Sequence, residues 1–170
     1  IQTTELPLLL EQLKTSTKNM DVILTAAVTA NGMIARHSSE TVEWSADLPL
    51  FRKQTMGQTV VMGSVTEKTL TTELDGRAII VMHREMKPET VLSEVLTDKC
   101  FIIGGAKTYS RFAPFLTHLY LTFHPLIFQS EAVPLFFDLK KELNLSFCKK
   151  VSVDEKREIY QSQYKVIACS

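Results

Sequence analysis

Apolar residues in this chain come in short unbroken runs. "DVILTAAV" (21–28), "TVVM" (59–62), "AIIVM" (78–82), "CFII" (100–103) and "HLYLTF" (118–123) are too short for packed helices and lack a clean alternation. Such runs predict strands covered on both faces, as in a parallel sheet. Between them lie stretches of helical composition at 45–54, 65–70, about 88–96 and 106–115. Ser45 is placed to cap the first, with Leu48 and Phe51 on one side. "ANGMIA" (30–35) carries turn chemistry at Asn31-Gly32. Beyond Pro134 the pattern changes. "SFCKKVSVD" and "EIYQSQYKVIA" read as two strands joined around 154–157, an antiparallel pair closing the sheet. The expected fold class is α/β, with a mainly parallel central sheet and a C-terminal antiparallel hairpin in one domain over 21–170. Residues 4–18, "TELPLLLEQLKTSTK", predict a helix with Leu6, Leu9, Leu10 and Leu13 on one face. Residues 1–20 are read as a helical extension covering either the domain's own sheet or a partner subunit in a homodimer.

Composition narrows the function. The 170 residues suffice for a real core, and Lys+Arg and Asp+Glu both number 19, for a net charge of zero. No long-range pull toward nucleic acid or an acidic membrane is expected, and no apolar run is long enough to span a bilayer. "LPLLLEQL" lacks a basic flank and a small-residue cleavage site, so a signal peptide is not expected. Cys100, Cys148 and Cys169 are odd in number and far apart, and the four histidines lack ligand spacing. Neither a disulfide framework nor a metal site is expected, and the anticipated compartment is the reducing cytoplasm.

Ligands of parallel sheets sit beyond the carboxyl ends of the strands. That rule gathers Ala26, Ala27, Gly63, His83, Gly104 and Thr122 around one cleft. Two glycine turns follow strands: Gly63-Ser64-Val65-Thr66, and "GGAKT" with Gly104, Gly105, Ala106, Lys107 and Thr108. A single such glycine usually does no more than permit a tight βα turn. Two at one sheet edge, each opening a helix, point to the pyrophosphate of a dinucleotide. Asp47 reads either as a helix-start acid or as a carboxylate in an apolar cleft, able to accept two parallel hydrogen bonds from an amidine-like ring edge. Arg77 reads as a surface arginine or as a bidentate clamp on an anion. Arg84 reads as a solvated charge or as a contact for the adenosine end of a cofactor. Trp44, the only tryptophan, reads as core.

"AAVTANGMIA", "ADLPLFRKQT", "VVMGSVT", "LDGR", "FIIGGAKTYSRFAPF" and "HLYLT" together resemble the dihydrofolate reductase superfamily. The resemblance covers nearly the whole chain from Val22. It implies a three-layer fold of that type, NADPH as cofactor and a small heterocyclic substrate. Asp47 would be the pterin-binding carboxylate, its pKa raised by the cleft, with Thr122 as its hydroxyl partner. Ala26, Leu48, Phe51 and Ile103 would wall the substrate, and Arg77 would hold an anionic tail. Ala27 and Ile34 would frame the nicotinamide. The two glycine turns would cradle the phosphates, with His83 and Arg84 toward the adenosine. The stretch "ETVEWSAD" departs from the family pattern, with Val42 where tryptophan is usual. Ser64 stands where a basic residue is usual, which leaves selection of the 2′-phosphate to Arg84 or Lys68. "LTFHPLIFQSEAVPLFF" looks more like the reductase domain of riboflavin biosynthesis. That resemblance implies an alternative phosphoribosylaminopyrimidine substrate. A non-catalytic binding protein on the same scaffold is a further alternative, because fold does not fix function.

Overall fold

The computed structural model describes residues 19–168. The helix expected over 4–18 lies outside the described residues. Strand β1 (Asp21–Thr29) is followed by a short β2 (Met33–Ala35) and helix α1 (Leu48–Thr55). Then come β3 (Thr59–Gly63), α2 (Ser64–Thr69), β4 (Ala78–Met82), α3 (Pro88–Ser93), β5 (Lys99–Ile102) and α4 (Ala106–Phe112). A 3-10 turn at Ala113–Phe115 leads into β6 (His118–His124), β7 (Val133–Pro134), β8 (Asn144–Asp154) and β9 (Ile159–Ile167).

Seven strands form one sheet in the order β4-β3-β5-β1-β6-β9-β8, while β2 and β7 pair separately. The first five run parallel, and β9 and β8 add antiparallel. The α/β fold with an antiparallel C-terminal pair is therefore the observed one. Central β1 explains its own sequence. Residues 22–26 are all buried because helices cover one face and α1 with its neighbours the other, so no polar side of the strand is needed. Alternation sorts the two layers. Val61 packs with Val22, Leu24, Ile102 and Phe112 on one face, whereas Val60 and Met62 pack with Leu74 and Phe51 on the other.

Three local expectations are corrected. Ser45 does not cap α1; the N-cap position is Asp47, and no side chain caps the first turn. The reason is that Ala46, next to Ser45, is held by a buried histidine (below), so the chain enters the helix two residues later. Helix α3 stops at Ser93, since Glu94 and Val95 already turn toward β5. The β2–β7 pair was not anticipated, because two- and three-residue strands are too short to show a period.

From β1 the chain moves outward to β3 and β4, returns to β5, and crosses β1 to reach β6. The crevice at the carboxyl ends of β3, β5 and β1 is the switch point of this winding, the place where such sheets bind ligands. A buried amide ladder fixes α1 against the far side of the sheet. Gln54 and Gln161 exchange two hydrogen bonds of 2.7 and 3.1 Å, and Gln163 donates to Gln161. No described helix is long and apolar enough to cross a membrane, and no cluster of metal-ligating side chains occurs among the described residues.

Candidate active site

A cavity of about 1220 Å³ opens at this switch point. That exceeds the roughly 300–1,000 Å³ of a single small-molecule site, so two ligands can lie side by side. Of the residues singled out in the sequence, Trp44, Lys68, Arg77 and Thr122 do not line it, while Asp47, Leu48, Phe51, Ile34, Ile103, His83, Arg84 and both glycine turns do.

One wall is backbone. The Gly63 N–H donates to the Gly104 carbonyl at 2.8 Å, which joins the two glycine turns into a single surface. A Cβ on Gly63 would stand 2.8 Å from Thr108 Oγ1, so only glycine lets the turns approach this closely. Gly104 has φ +133°, a conformation open to glycine alone. Gly105 differs. A Cβ there would meet only Thr66 Oγ1, at an ordinary 3.7 Å, so a larger side chain would project toward the cavity without disturbing the turn. Helices α2 and α4 begin at these turns with no side-chain cap, which leaves their first N–H groups for a ligand. Lys107 and Arg84 add positive charge along this wall. Lys107 lies over the Phe137 ring, 5.5 Å from its centroid.

The opposite wall is made of side chains. Asp47, at the start of α1, is half-buried. Burial raises the pKa of its carboxyl, against the opposing pull of the Thr122 hydroxyl and of His124. Thr122 lies behind it on β6, fully buried and off the cavity surface. Its hydroxyl favours the Asp47 anion, yet the geometry falls short of a complete hydrogen bond and Oγ1 has no other partner. An unsatisfied buried hydroxyl is costly. Leu48 and Phe51 form the apolar side of this wall, and Ile34 and Ile103 line the same space.

Tyr109 was not singled out in the sequence. Its hydroxyl donates to the Thr25 carbonyl at 2.7 Å, and burial and the Asp47 charge both push its pKa upward. It is therefore a neutral donor locked in the floor of the cavity. Its signal was an aromatic residue four positions after Gly105, on the inward side of α4.

The loop over Asp47 is braced by groups that sequence reasoning also missed. Arg36 pairs with Glu40 at 2.9 Å, and Trp44 Nε1 donates to Glu40 at 3.1 Å. Burial raises the Glu40 pKa, but hydrogen bonds from Arg36 and Trp44 outweigh it and hold the carboxyl below its usual value. Trp44 stands edge-on to His124 and to Phe128. Arg77 lies outside the cavity wall. It donates to Thr55 Oγ1 and to the carbonyls of Arg52 and Asp75, tying the end of α1 to the start of β4. Three of the five N–H donors of a guanidinium are thus committed, which leaves two.

A family model described as "Dihydrofolate reductase" matches residues 21–166. The chain belongs to the dihydrofolate reductase family. The match includes the 121–137 stretch that resembled the riboflavin-type reductases. Dihydrofolate reductase type 8 from Escherichia coli is 30% identical over 128 residues, covering 62% of this chain and 75% of the relative. Dihydrofolate reductase from Bacillus subtilis (strain 168) is 32% identical over 108 residues, covering 56% and 64%. A solved structure, dihydrofolate reductase from Enterococcus faecalis complexed with NADP(H) and RAB-propyl, has the same fold. Its TM-score is 0.67 at 19% identity, covering 86% of this chain and 96% of that one.

Proposed function

We propose that this chain is an NADPH-dependent reductase that transfers hydride to a dihydropteridine ring of the dihydrofolate type. One observation carries the reading. A carboxyl whose pKa is raised by burial, backed by the partnerless Thr122 hydroxyl, shares one cavity with two joined glycine turns. Family membership supports it, as does the NADP(H) bound by the Enterococcus protein.

The residues fit the cofactor. Uncapped helix starts and the side-chain-free edge at Gly105 suit a pyrophosphate, Arg84 and Lys107 match its charge, and Ala27 and Ile34 offer an apolar surface to a nicotinamide. When bound, NADPH supplies the hydride. The chain's own residues hold the acceptor. Anionic Asp47 accepts paired hydrogen bonds from the amidine-like edge of the ring, and the buried Thr122 hydroxyl favours that anion from behind. Leu48, Phe51 and Ile34 exclude water from the reacting face. Reducing a C=N bond needs a proton as well as a hydride. The anion at Asp47 favours positive character on the ring, so water entering from the mouth can supply that proton. Such an interaction strengthens toward the transition state and accelerates the step rather than merely tightening binding. Arg77, with two donors left, takes an anionic substrate tail bidentately.

The test is NADPH titration by fluorescence, followed by NADPH absorbance with dihydrofolate present. Saturable binding and dihydrofolate-dependent oxidation are expected. Binding without oxidation would refute the substrate, and absence of binding would refute the reductase.

A further inference from the structure

His124 is almost fully buried, and nothing in the proposed chemistry uses it. Its Nε2 lies 3.0 Å from the Ala46 nitrogen, and its Nδ1 lies 2.9 Å from the Thr122 carbonyl. The Ala46 N–H can only donate, so Nε2 must accept and the proton must sit on Nδ1, which then donates to Thr122. One neutral imidazole, in one tautomer, thus joins the residue before Asp47 to the backbone of Thr122. The bond to Ala46 fixes the approach of Asp47, and the bond to Thr122 fixes the strand whose buried hydroxyl lies behind that carboxyl.

We propose that His124 is a pH-sensitive positioning residue, a latch that holds the 44–47 segment against β6 and opens when Nε2 takes up a proton. A protonated Nε2 presents an N–H to the Ala46 N–H. Two donors then face each other, and the bond that ties Ala46 to β6 becomes a repulsion. From the start of α1, the Asp47 carboxylate attracts an imidazolium. From the 36–44 loop, Glu40 lies one residue beyond, behind Trp44, and is already neutralised by Arg36. From the 125–132 segment, Phe128 meets Trp44 edge-on and holds the Arg36 guanidinium over its ring, 4.4 Å from the centroid. From α4, Tyr109 is neutral and acts on Asp47 rather than on the ring. Opening leaves Asp47 without its fixed approach to Thr122, so substrate anchoring weakens while the glycine wall keeps its cofactor surface.

Trp44 reads this state directly. It is the only tryptophan, and its ring centroid lies 5.2 Å from that of His124. An imidazolium in contact with indole quenches its emission. Full-length wild type, His124→Gln and His124→Phe are compared over a series of pH values by Trp44 emission, and by affinity for folate and for NADPH. In the wild type, emission should fall on acidification together with folate affinity. His124→Gln offers an amide oxygen to Ala46 but no titratable proton. It should show no emission step and recover most folate affinity. His124→Phe keeps the volume and loses both bonds. It should bind folate about fivefold to tenfold more weakly at every pH, the scale of one or two neutral hydrogen bonds, with NADPH affinity unchanged. An emission step shared by wild type and His124→Gln overturns the latch, as does wild-type folate affinity in a folded His124→Phe. The folate readout rests on the reductase reading. If wild type binds no folate at neutral pH, that reading fails alone, because ring-nitrogen NMR shifts still decide the latch. A proton on Nδ1 with Nε2 accepting upholds it, and a proton on Nε2 in the neutral form overturns it.

Discussion

The two walls of the cavity are built on different principles. The glycine wall presents backbone, and its shape follows from where side chains are missing. The Asp47 wall presents side chains, and its shape follows from buried polar bonds between segments far apart in sequence. His124 bonds to Ala46 from 78 positions away, and Gln161 reaches Gln54 from 107. The first wall admits no side chain at Gly63 or Gly104 but has room for one at Gly105. The second tolerates isosteric changes but depends on protonation and on every partner being present.

The sharpest way to break this contrast is at Gly105. Gly105→Val should fold, since the space beside that Cα is open. It should weaken NADPH on the order of a hundredfold or more, about 2.7 kcal/mol, by holding the pyrophosphate off the backbone. Calorimetric titration checks this, and unchanged affinity in a folded variant would remove the phosphate assignment.

Asp47→Asn attacks the other wall and should leave NADPH affinity nearly intact. Turnover should fall at least about tenfold, the lower range of acid–base contributions, and recover in part at low pH where the substrate is already protonated. Stability should move the other way. Burial raises the Asp47 pKa in the folded state, so the folded state holds a proton that the unfolded state has released. Wild-type stability therefore falls as pH rises from the ordinary carboxylate range through the raised folded value, then levels off. The apo variant should melt higher than wild type at neutral pH, and the two should converge in acid. Melting curves at several pH values test the sign, and a variant less stable at neutral pH would contradict it.

A smaller effect is expected on the charged rim of the glycine wall. Arg84→Ser should reduce the preference for NADPH over NADH by about tenfold, the scale of one exposed charge-assisted hydrogen bond. Retained preference would assign the 2′-phosphate to another group. The smallest effect concerns Thr122→Val, which keeps the shape and removes a buried hydroxyl that has no partner. The apo protein should gain stability by up to about 1 kcal/mol, while folate affinity drops severalfold. Chemical denaturation beside folate titration separates the two, and a loss of apo stability would show that the hydroxyl already has a partner.

Sequence alone determined the parallel strands, the terminal hairpin and the whole glycine wall. Unbroken apolar runs reported burial on both faces for β1, β3 and β5 but not for β4, an edge strand that leaves Ala78 and Ile79 exposed, and glycine at 63 and 104 reports a local backbone requirement. It also placed Leu48 and Phe51 on one side of α1, because helical spacing is a local property. Tertiary structure decided the rest. His124 stands two residues after Thr122, on the same face of β6, and that spacing was the one available signal. Its partner Ala46 is a backbone N–H, which no side-chain pattern records. Trp44 read as core until the fold brought Glu40, His124 and Phe128 around it. Arg77 read as free until α1 presented two acceptors to its guanidinium. A hydrogen bond between remote segments leaves no periodicity in either one, so the chain shows which residues need a partner, and only the fold shows which partner each receives.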